Sequence, residues 1–307
     1  MKSQKVGRIV SSSLIYFILG VSAIIWIMPI LWLFLQSFAT INSATKFVPD
    51  GFTLRNYGYL FNIPDADGNT YPVWANNNSL DVVPGTSMSF FLKWFLNTLI
   101  VAALVCIINT LFVLMVAYSL SRFRFKGRET LMKLNLVLGM FPGFLGMIIM
   151  YWVMKEIFHL QGTFWSLVIL YSASSGMGFF ISKGFFDTIS KSIDEAAMID
   201  GANRAQIFWD IILPLAKPIV VYTILTSFMA PWGDYITSSY IIGLQNTENW
   251  TVAIGLYKWA TDVINYRNSY YTRYAAGSVI VAIPMATLFI ATQKYYVSGV
   301  TGGAVKG

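Results

Sequence analysis

Long stretches of apolar residues, separated by shorter polar segments, dominate the hydrophobic pattern of this chain. A membrane-spanning helix needs about 20 predominantly apolar residues, and six stretches reach that length. They are Ser13–Phe38, Phe90–Leu120, Leu131–Ile157, Thr163–Phe186, Ile219–Ile242 and Tyr274–Thr292. The pattern therefore predicts an all-α polytopic membrane protein with six transmembrane helices.

The first apolar stretch follows Lys2, Lys5 and Arg8, an arrangement that also occurs in signal peptides. Its apolar core is longer than the roughly 7–15 residues of a cleaved signal, and no A-x-A cleavage site follows it. We therefore interpret this stretch as a retained transmembrane helix.

The composition excludes most classes of soluble protein. The 307 residues are 56% hydrophobic and 11% charged, whereas soluble domains average about 45–50% apolar and about 25% charged residues. The single cysteine, Cys106, lies in an apolar run, which excludes an internal disulfide and a cysteine-based zinc cluster. The net charge of +7 is carried mainly by loops, and we expect no nucleic-acid partner.

Basic residues concentrate in the loops that a six-helix arrangement places on one side of the membrane. Six spans put both termini on the same side as the loops after the second and fourth spans. Together with Lys133 and Lys183 at the adjoining span ends, these segments contain 14 of the 21 Lys and Arg residues. Because cytoplasmic loops carry an excess of Lys and Arg, we predict that the N-terminus and the C-terminus are both cytoplasmic.

The predicted outer side carries two long loops that are rich in polar and aromatic residues. The length of segment 39–89 favours an ordered external cap or docking surface, although a surface loop without a partner is the alternative. Aromatic residues at span ends are usually anchors at the membrane interface, so we interpret them as such anchors and not as platforms on which a ligand stacks. The aromatic residues are Tyr57, Tyr59, Tyr71 and Trp74 in the first loop and Trp250, Tyr257, Trp259, Tyr266, Tyr270 and Tyr271 in the second.

The loop between the fourth and fifth predicted spans, residues 187–217, has the clearest local pattern. Ser192 followed three residues later by Glu195 matches a capping box, which predicts a helix that begins at Ile193. Gly201 suits the left-handed conformation that commonly ends a helix. The loop therefore begins with a short helix and a glycine turn.

A second short helix is predicted after this turn, and Pro214 ends it before Pro218 opens the next span. Its apolar face comprises Ile207, Phe208, Ile211 and Ile212. Two interpretations remain open. The two helices form either an amphipathic hairpin at the membrane surface, with Glu195 only capping its own helix, or an element that docks into a groove on a cytoplasmic partner. In the second case the Ala196–Ala197 pair lets the partner approach closely.

No motif for an energy source or an enzyme is present in the sequence. The phosphate-binding pattern G-x-x-x-x-G-K-[ST], the metal-binding pattern H-E-x-x-H and the nucleophile pattern G-x-S-x-G are all absent. The only histidine, His159, lies in a short loop, and we interpret it as an ordinary interfacial residue. Ion-coupled carriers usually hold several ionisable groups within their spans, whereas here Asp234 is the main candidate. We expect no catalytic residue and no metal site in this chain, and we expect another subunit to supply the energy of any transport.

The 187–217 loop resembles the signature loop of binding-protein-dependent ABC importer permeases. Their pattern is E-A-A, three residues, G, nine residues and I-x-L-P, and this sequence matches it completely. The matching residues are Glu195, Ala196, Ala197, Gly201, Ile211, Leu213 and Pro214. Asp200 and Ala202 flank the glycine as D-G-A, which is similar to the carbohydrate branch of the family.

The C-terminal segment also resembles a known family. From Gln293 to the end it is similar to the tail of the G-type permease subunit of maltose and maltodextrin importers. By composition alone this segment is a frayed end, whereas the resemblance implies that it reaches between two ATPase subunits. The tail residues implied to contact the ATPase are Gly299, Thr301, Gly302, Gly303 and Lys306.

The resemblance implies the type I ABC importer permease fold and three segments. Residues 1–89 hold the N-terminus, the first span and the external loop; residues 90–293 hold the permease core with coupling loop 187–217; and residues 294–307 form a cytoplasmic tail. It further implies a multi-pass protein of the bacterial or archaeal cell (inner) membrane.

The resemblance also implies a set of partners. They are a second permease subunit, two copies of a P-loop ATPase, an extracytoplasmic solute-binding protein, a carbohydrate of maltose or maltodextrin type, and the lipid bilayer. This chain then binds no cofactor, because ATP and magnesium belong to the ATPase. The resemblance also implies which residues of the loop couple to the ATPase: Glu195, Ala196, Ala197, Asp200, Gly201, Ala202, Ile211, Leu213 and Pro214.

Three polar residues inside the predicted spans are candidates for a substrate pathway: Asn97, Asn109 and Asp234. Hydrogen bonding between helices is the alternative role for each asparagine. Asp234 follows Pro231-Trp232-Gly233, and we single it out as a pathway or gating residue.

Other functions remain as alternatives. An ABC permease for a different class of solute shares the signature loop but not the D-G-A context or the tail. A secondary transporter or channel predicts uptake that survives ATP depletion. A membrane-bound enzyme needs a catalytic cluster, and we find none in the sequence.

Overall fold

The computed structural model describes residues 2–40, 46–64, 88–140, 143–173, 176–261 and 270–304. Nearly all of these residues are helical, which confirms the predicted all-α class. The helices are α1 (Lys2–Ser37), α2 (Arg55–Leu60), α3 (Phe90–Arg122), α4 (Arg128–Gly139), α5 (Gly143–Trp152), α6 (Phe164–Ala173), α7 (Gly176–Asp187), α8 (Lys191–Ile199), α9 (Arg204–Leu215), α10 (Lys217–Gly233), α11 (Tyr235–Ile242), α12 (Val252–Thr261) and α13 (Tyr270–Ala304).

Four helical stretches within the described residues are long and apolar enough to cross a membrane. They are Ser12–Ser37, Phe90–Arg122, Phe164–Asp187 and Tyr271–Tyr295. A fifth is obtained if α9 and α10, which meet at an angle of 86°, are counted as one broken span. These stretches correspond to the first, second, fourth, sixth and fifth predicted spans.

The third and fifth predicted spans differ from continuous helices. The third, Leu131–Ile157, comprises α4 and α5 on either side of residues 141–142, which lie outside the described residues. A π-helical turn, Val153–Ile157, extends α5. In the fifth, Ile219–Ile242, the helix stops at Gly233 and a new helix begins at Tyr235. The count of six spans and the sidedness of the termini stay predictions.

One compact unit contains residues Met1–Ser89 and Leu256–Ile280. Asn56 of α2 is buried in this unit, and its amide nitrogen donates to the carbonyls of Ser37 and Ala39 at 2.9 and 3.0 Å. Thr272 in turn donates its hydroxyl to Asn56 Oδ1 at 2.9 Å. The Arg273 guanidinium lies 5.0 Å from the centroid of the Tyr59 ring. Part of loop 39–89 is therefore ordered around one buried amide, whereas Tyr71 and Trp74 lie outside the described residues.

The second compact unit, Phe90–Gly255 with Val281–Gly307, is built around α3. Helix α3 packs against α6, α7 and α10. One face of its C-terminal half is buried, including Val113, Leu114 and Ala117. This half of α3 forms a continuous apolar cluster with α7, α8 and α9, so the loop that carries the sequence signature rests directly on α3.

The other end of α3 holds the segment that precedes α12. Trp94 is fully buried, donates its Nε1–H to the carbonyl of Thr247 at 2.8 Å, and lies 5.5 Å from the ring centroid of Trp250. Trp250 and Trp259 are only 2% and 3% exposed. The prediction that they anchor the protein at the membrane interface is therefore wrong, because both rings are enclosed by protein. Tyr266 lies outside the described residues.

Candidate functional site

The first helix of the signature loop, α8, begins two residues earlier than predicted. Ser190 caps it, since its extended backbone lets Oγ accept from the Ser192 backbone N–H at 3.3 Å. The predicted capping box of Ser192 and Glu195 is therefore wrong, and Glu195 is an exposed residue inside the helix. A reciprocal capping box instead lies at the start of α9, between Asn203 and Gln206, with bonds of 2.8 and 3.0 Å.

The glycine turn after α8 forms as predicted. Gly201 has a φ of +86°, in the left-handed region. Its N–H donates to the Met198 carbonyl at 3.1 Å, and the Ala202 N–H donates to the Ala197 carbonyl at 2.9 Å. This pair of bonds is the Schellman arrangement, which satisfies carbonyls at the end of a helix and favours glycine.

Helix α8 presents two distinct faces. Asp194 and Ala197 face the protein interior, at 4% and 8% exposure. Glu195, Ala196 and Asp200 are exposed, and Ile199 is 86% exposed. The expectation that both alanines of the pair make room for a partner is therefore wrong for Ala197, which packs into the apolar cluster of its own chain.

Helix α9 lies on α3 through the face that the sequence predicts. Ile207, Phe208 and Ile212 are buried, and Ile211 and Leu213 are partly buried against the same cluster. Its outer side shows Trp209 at 49% exposure, Pro214 and Leu215. Residues Ile207–Ile212 form a π-helical segment, a deviation that is frequent at functional sites.

Aromatic contacts hold α9 on the C-terminal end of α3. The ring centroids of Tyr118 and Phe208 are 4.9 Å apart. The Arg204 guanidinium carbon lies 5.6 Å from the centroid of Phe123. Both helices of the loop therefore contact α3 with one face and leave their other face free for a partner.

Asp234 occupies the break between α10 and α11. Its Oδ1 accepts from the Thr237 backbone N–H at 2.9 Å and so caps α11, while its Oδ2 accepts from the hydroxyl of Tyr171 on α6 at 2.9 Å. The side chain is half-buried and the adjacent Gly233 is exposed. A carboxylate and a phenol therefore meet at a break between two helices, inside the predicted fifth span.

The two candidate asparagines have other roles in the structure. The Asn97 amide is 8% exposed and donates to the carbonyls of Glu248 and Trp250 at 2.8 and 3.1 Å. The Asn97 amide group therefore anchors the segment before α12, which favours a structural role over the predicted pathway role. Asn109 donates to Ser227 Oγ at 3.2 Å and so links α3 to α10, whereas its Oδ1 has no hydrogen-bond partner among the described residues.

The tail is helical as far as it is described. Helix α13 continues to Ala304, so Gly299, Thr301, Gly302 and Gly303 lie within it. The frayed end expected from composition alone is therefore not found before Ala304. Lys306 lies outside the described residues.

Sequence analysis missed two contacts that join separate elements. Tyr171 is one residue of an apolar run with nothing to mark it as the partner of Asp234. The second is a buried ion pair, in which Arg122 Nε lies 3.1 Å from Asp194 Oδ2. The one available signal for this ion pair in the sequence is Arg122, which lies at the very end of an apolar span.

Within the described residues no group of three His, Cys, Asp or Glu side chains is placed to hold a metal ion.

Comparison with known proteins places these features in context. The family described as "Binding-protein-dependent transport system inner membrane component" matches residues 114–301. The galactooligosaccharides transport system permease protein GanQ of Bacillus subtilis (strain 168) is 34% identical over 310 residues, with 100% of each chain covered. The maltodextrin transport system permease protein MdxG of the same strain is 36% identical over 220 residues, which is 71% of this chain and 77% of that protein.

A solved structure has the same fold. It is the crystal structure of a bacterial ABC transporter involved in the import of the acidic polysaccharide alginate. The TM-score is 0.72 at 23% sequence identity, and the superposition covers 96% of this chain and 98% of the other.

Proposed function

Because the chain belongs to the family of binding-protein-dependent transport system inner membrane components, we propose that it is the membrane-spanning permease subunit of an ATP-driven ABC importer for a sugar. It is a multi-pass membrane protein with a transport role and does not itself hydrolyse ATP. Its partners are a second permease subunit, two copies of a P-loop ATPase that bind ATP and magnesium, and an external solute-binding protein that delivers the sugar.

The outer face of the 187–217 loop supports the proposal more than any other observation. Glu195, Ala196 and Asp200 are exposed beside a protruding Ile199, while the opposite face is fixed to α3. At 86% exposure, Ile199 offers apolar surface that a docked partner would remove from water. We assign this face to the ATPase. Gly201 turns the chain beside it, and Ile211, Leu213 and Pro214 support it from α9.

An oligosaccharide is the proposed substrate. The names of GanQ and MdxG indicate galactooligosaccharides and maltodextrin respectively, and the D-G-A sequence at 200–202 and the glycine-rich tail favour the maltose type. Both sugar classes present many hydroxyl groups, which need paired donors and acceptors along a pathway. Maltodextrin is the first candidate, and a galactooligosaccharide is the second because the similarity to GanQ extends over the entire chain.

Asp234 is the proposed pathway residue. Its carboxylate and the Tyr171 hydroxyl are 2.9 Å apart, and both groups exchange hydrogen bonds readily with sugar hydroxyls. Transporter substrates commonly bind where spanning helices are interrupted, because the interrupted backbone offers unpaired polar groups there. Asn109 is a secondary candidate, since its Oδ1 lacks a partner among the described residues.

The tail is the second proposed contact with the ATPase. Helix α13 carries Gly299, Thr301, Gly302 and Gly303 at its end, and Lys306 follows in the sequence. Small residues allow close approach of another subunit. The tail then reaches between the two ATPase subunits, as the G-type resemblance implies.

Co-purification tests the proposal. A tag at the N-terminus leaves the tail free, and mass spectrometry identifies the proteins retained from native membranes. We expect a P-loop ATPase and a second permease, followed by ATP-dependent uptake in proteoliposomes that contain the binding protein and a panel of maltodextrins and galactooligosaccharides. A chain that purifies alone and takes up sugar after ATP depletion would show that it is a secondary transporter.

A further inference from the structure

A buried ion pair joins the C-terminal end of α3 to the signature loop. Arg122 is the last residue of α3 and Asp194 lies in the first half of α8. Their side chains are 2% and 6% exposed, and Arg122 Nε lies 3.1 Å from Asp194 Oδ2. The Arg122 Nη2–H also donates to the Ile189 carbonyl at 3.1 Å. One guanidinium therefore holds both the turn that leads into α8 and the inner face of α8.

A contribution to the stability of the fold does not by itself explain why this ion pair is buried. Removing two charges from water is costly, and well-packed apolar residues in place of a buried ion pair are often neutral or stabilising. Arg122 Nε and Nη1 and both carboxylate oxygens of Asp194 lack a partner with hydrogen-bond geometry among the described residues, so the contact of 3.1 Å is an ion pair without a well-formed hydrogen bond. A buried polar network that only stabilises the fold is normally fully hydrogen-bonded, and this network is not.

The ion pair lies between the proposed ATPase-binding face of α8 and the spanning helices that pack against α3. Asp194 points inward next to Glu195, which is exposed on the proposed ATPase-binding face. Helix α8 has nine residues, so a force on its outer face moves its inner face with it. Helix α3 in turn packs along α6, α7 and α10, and α10 ends at the break beside Asp234.

Other contacts at this end of α3 lead to α7 rather than to α8. The Ser121 hydroxyl donates to Asp187 Oδ1 at 2.6 Å, and Lys183 Nζ lies 2.6 Å from Asp187 Oδ2. Among the charged pairs of the described residues, Arg122 and Asp194 form the one that joins α3 to α8. The loop also contacts the end of α3 through the hydrogen bond from Arg122 to the Ile189 carbonyl, the contact of Arg204 with the Phe123 ring, and apolar packing. The pair of Arg122 and Asp194 is the contact that ties a charge on the inner face of α8 to α3.

We propose that Arg122 and Asp194 are positioning residues that make α8 and the end of α3 move as one body, so that the force of ATP hydrolysis reaches the spans. This inference rests on the proposed function, since it assumes that an ATPase pushes on α8. Neither residue contacts the substrate or the ATPase. The pair determines how much sugar is moved for each ATP consumed.

The test measures sugar uptake and ATP hydrolysis together, in proteoliposomes that contain the complex purified through the N-terminal tag. The variants are Asp194→Asn, Arg122→Gln and the double variant. We expect each to keep ATPase capture and hydrolysis while the sugar moved per ATP falls about tenfold, a typical size for loss of coupling along a mechanical connection. The double variant should be no worse than either single variant, because the two residues act as a unit.

Two further variants separate positioning from folding. Arg122→Lys retains the charge but cannot reach two acceptors in the fork geometry of arginine, so its coupling ratio should be intermediate. Glu129→Gln removes one negative charge from an exposed site at the start of α4 and should leave the ratio unchanged.

The results distinguish this inference from the proposed function. A wild-type chain that captures no ATPase overturns both. A wild-type complex that transports sugar, with variants that move the same amount of sugar per ATP, overturns only the positioning role. The double variant leaves no unpaired buried charge, and if it too fails to assemble, the pair is a folding element and the proposal is wrong.

Discussion

A substitution at Gly201 distinguishes two reasons for a glycine there: the left-handed backbone conformation of the turn, and the space that a docked ATPase needs. At a φ of +86° an L-residue is strained, yet a Cβ built on Gly201 meets nothing within 4 Å in the described structure. Conformation alone therefore costs about 1–2 kcal/mol, and aspartate adopts this region more readily than most residues. Since a domain is stable by about 5–15 kcal/mol, Gly201→Asp should insert and fold almost normally.

The same variant should block transport if an ATPase docks at this turn. The added carboxylate either holds the partner away or is buried without a cation, at a cost of about 1–3 kcal/mol or more. That cost corresponds to a loss of docking affinity of roughly 5- to 150-fold. The assay is uptake of labelled oligosaccharide in cells, normalised to the amount of this chain in the membrane, together with capture of the ATPase by the N-terminal tag.

Gly127→Asp is the matched control. Gly127 has a φ of +92° and equally open space around its Cβ position, but it lies before α4, outside the 187–217 loop. It carries the same strain and the same new charge, and we expect uptake close to that of wild type. Normal uptake by Gly201→Asp would refute the docking assignment, and an equal loss in Gly127→Asp would attribute the effect to strain.

Three other changes have distinct expected outcomes. Gly255→Ala places a Cβ 1.9 Å from Cε3 of the buried Trp94 ring, so the amount of folded protein in the membrane should fall sharply, as the melting temperature in detergent will show. Asp234→Ala removes the cap of α11 and the partner of Tyr171, and we expect sugar uptake to fall at least about tenfold while ATP hydrolysis persists; unchanged uptake would exclude Asp234 from the pathway. Deletion of Gly299–Gly307 should reduce uptake and ATP hydrolysis more than abundance, as paired activity and immunoblot measurements test. Full activity without these residues would show that the tail is dispensable.

The spanning helices could be predicted because a membrane imposes a simple rule on sequence. Backbone polar groups have no water to bind in the bilayer, so an apolar stretch of sufficient length becomes a helix. Ser13–Phe38, Phe90–Leu120 and Tyr274–Thr292 each fall almost entirely inside one helix of the structure. Hydropathy does not register a break such as that at Asp234, because one polar residue in a long apolar stretch hardly changes the average.

Contacts between residues distant in sequence explain why Trp250 is buried in the protein and not placed at the membrane interface. Trp250 looks like an interface anchor in isolation, and its burial depends on Trp94, which lies more than 150 residues earlier. Gly255 is required at its position because the Trp94 ring occupies the space of a side chain. A single sequence contains no periodicity or local motif that reports such a pairing.

Asp194 and Glu195 show why the register of a short helix decides function. Neighbouring residues on a helix point about 100° apart, and the cap at Ser190 turns Asp194 inward and Glu195 outward. The sequence pattern assigns Glu195 to a capping box and gives no role to Asp194, because it predicts the helix start two residues late. Asp194→Asn and Glu195→Gln each remove one negative charge, at adjacent positions, and they should nevertheless have different effects. We expect Glu195→Gln to weaken capture of the ATPase, and Asp194→Asn to leave capture intact while lowering the sugar moved per ATP. The two variants would behave identically in both assays if the exposed face of α8 did not act in docking and the buried face in transmission. That result would refute the separate roles of Glu195 and Asp194.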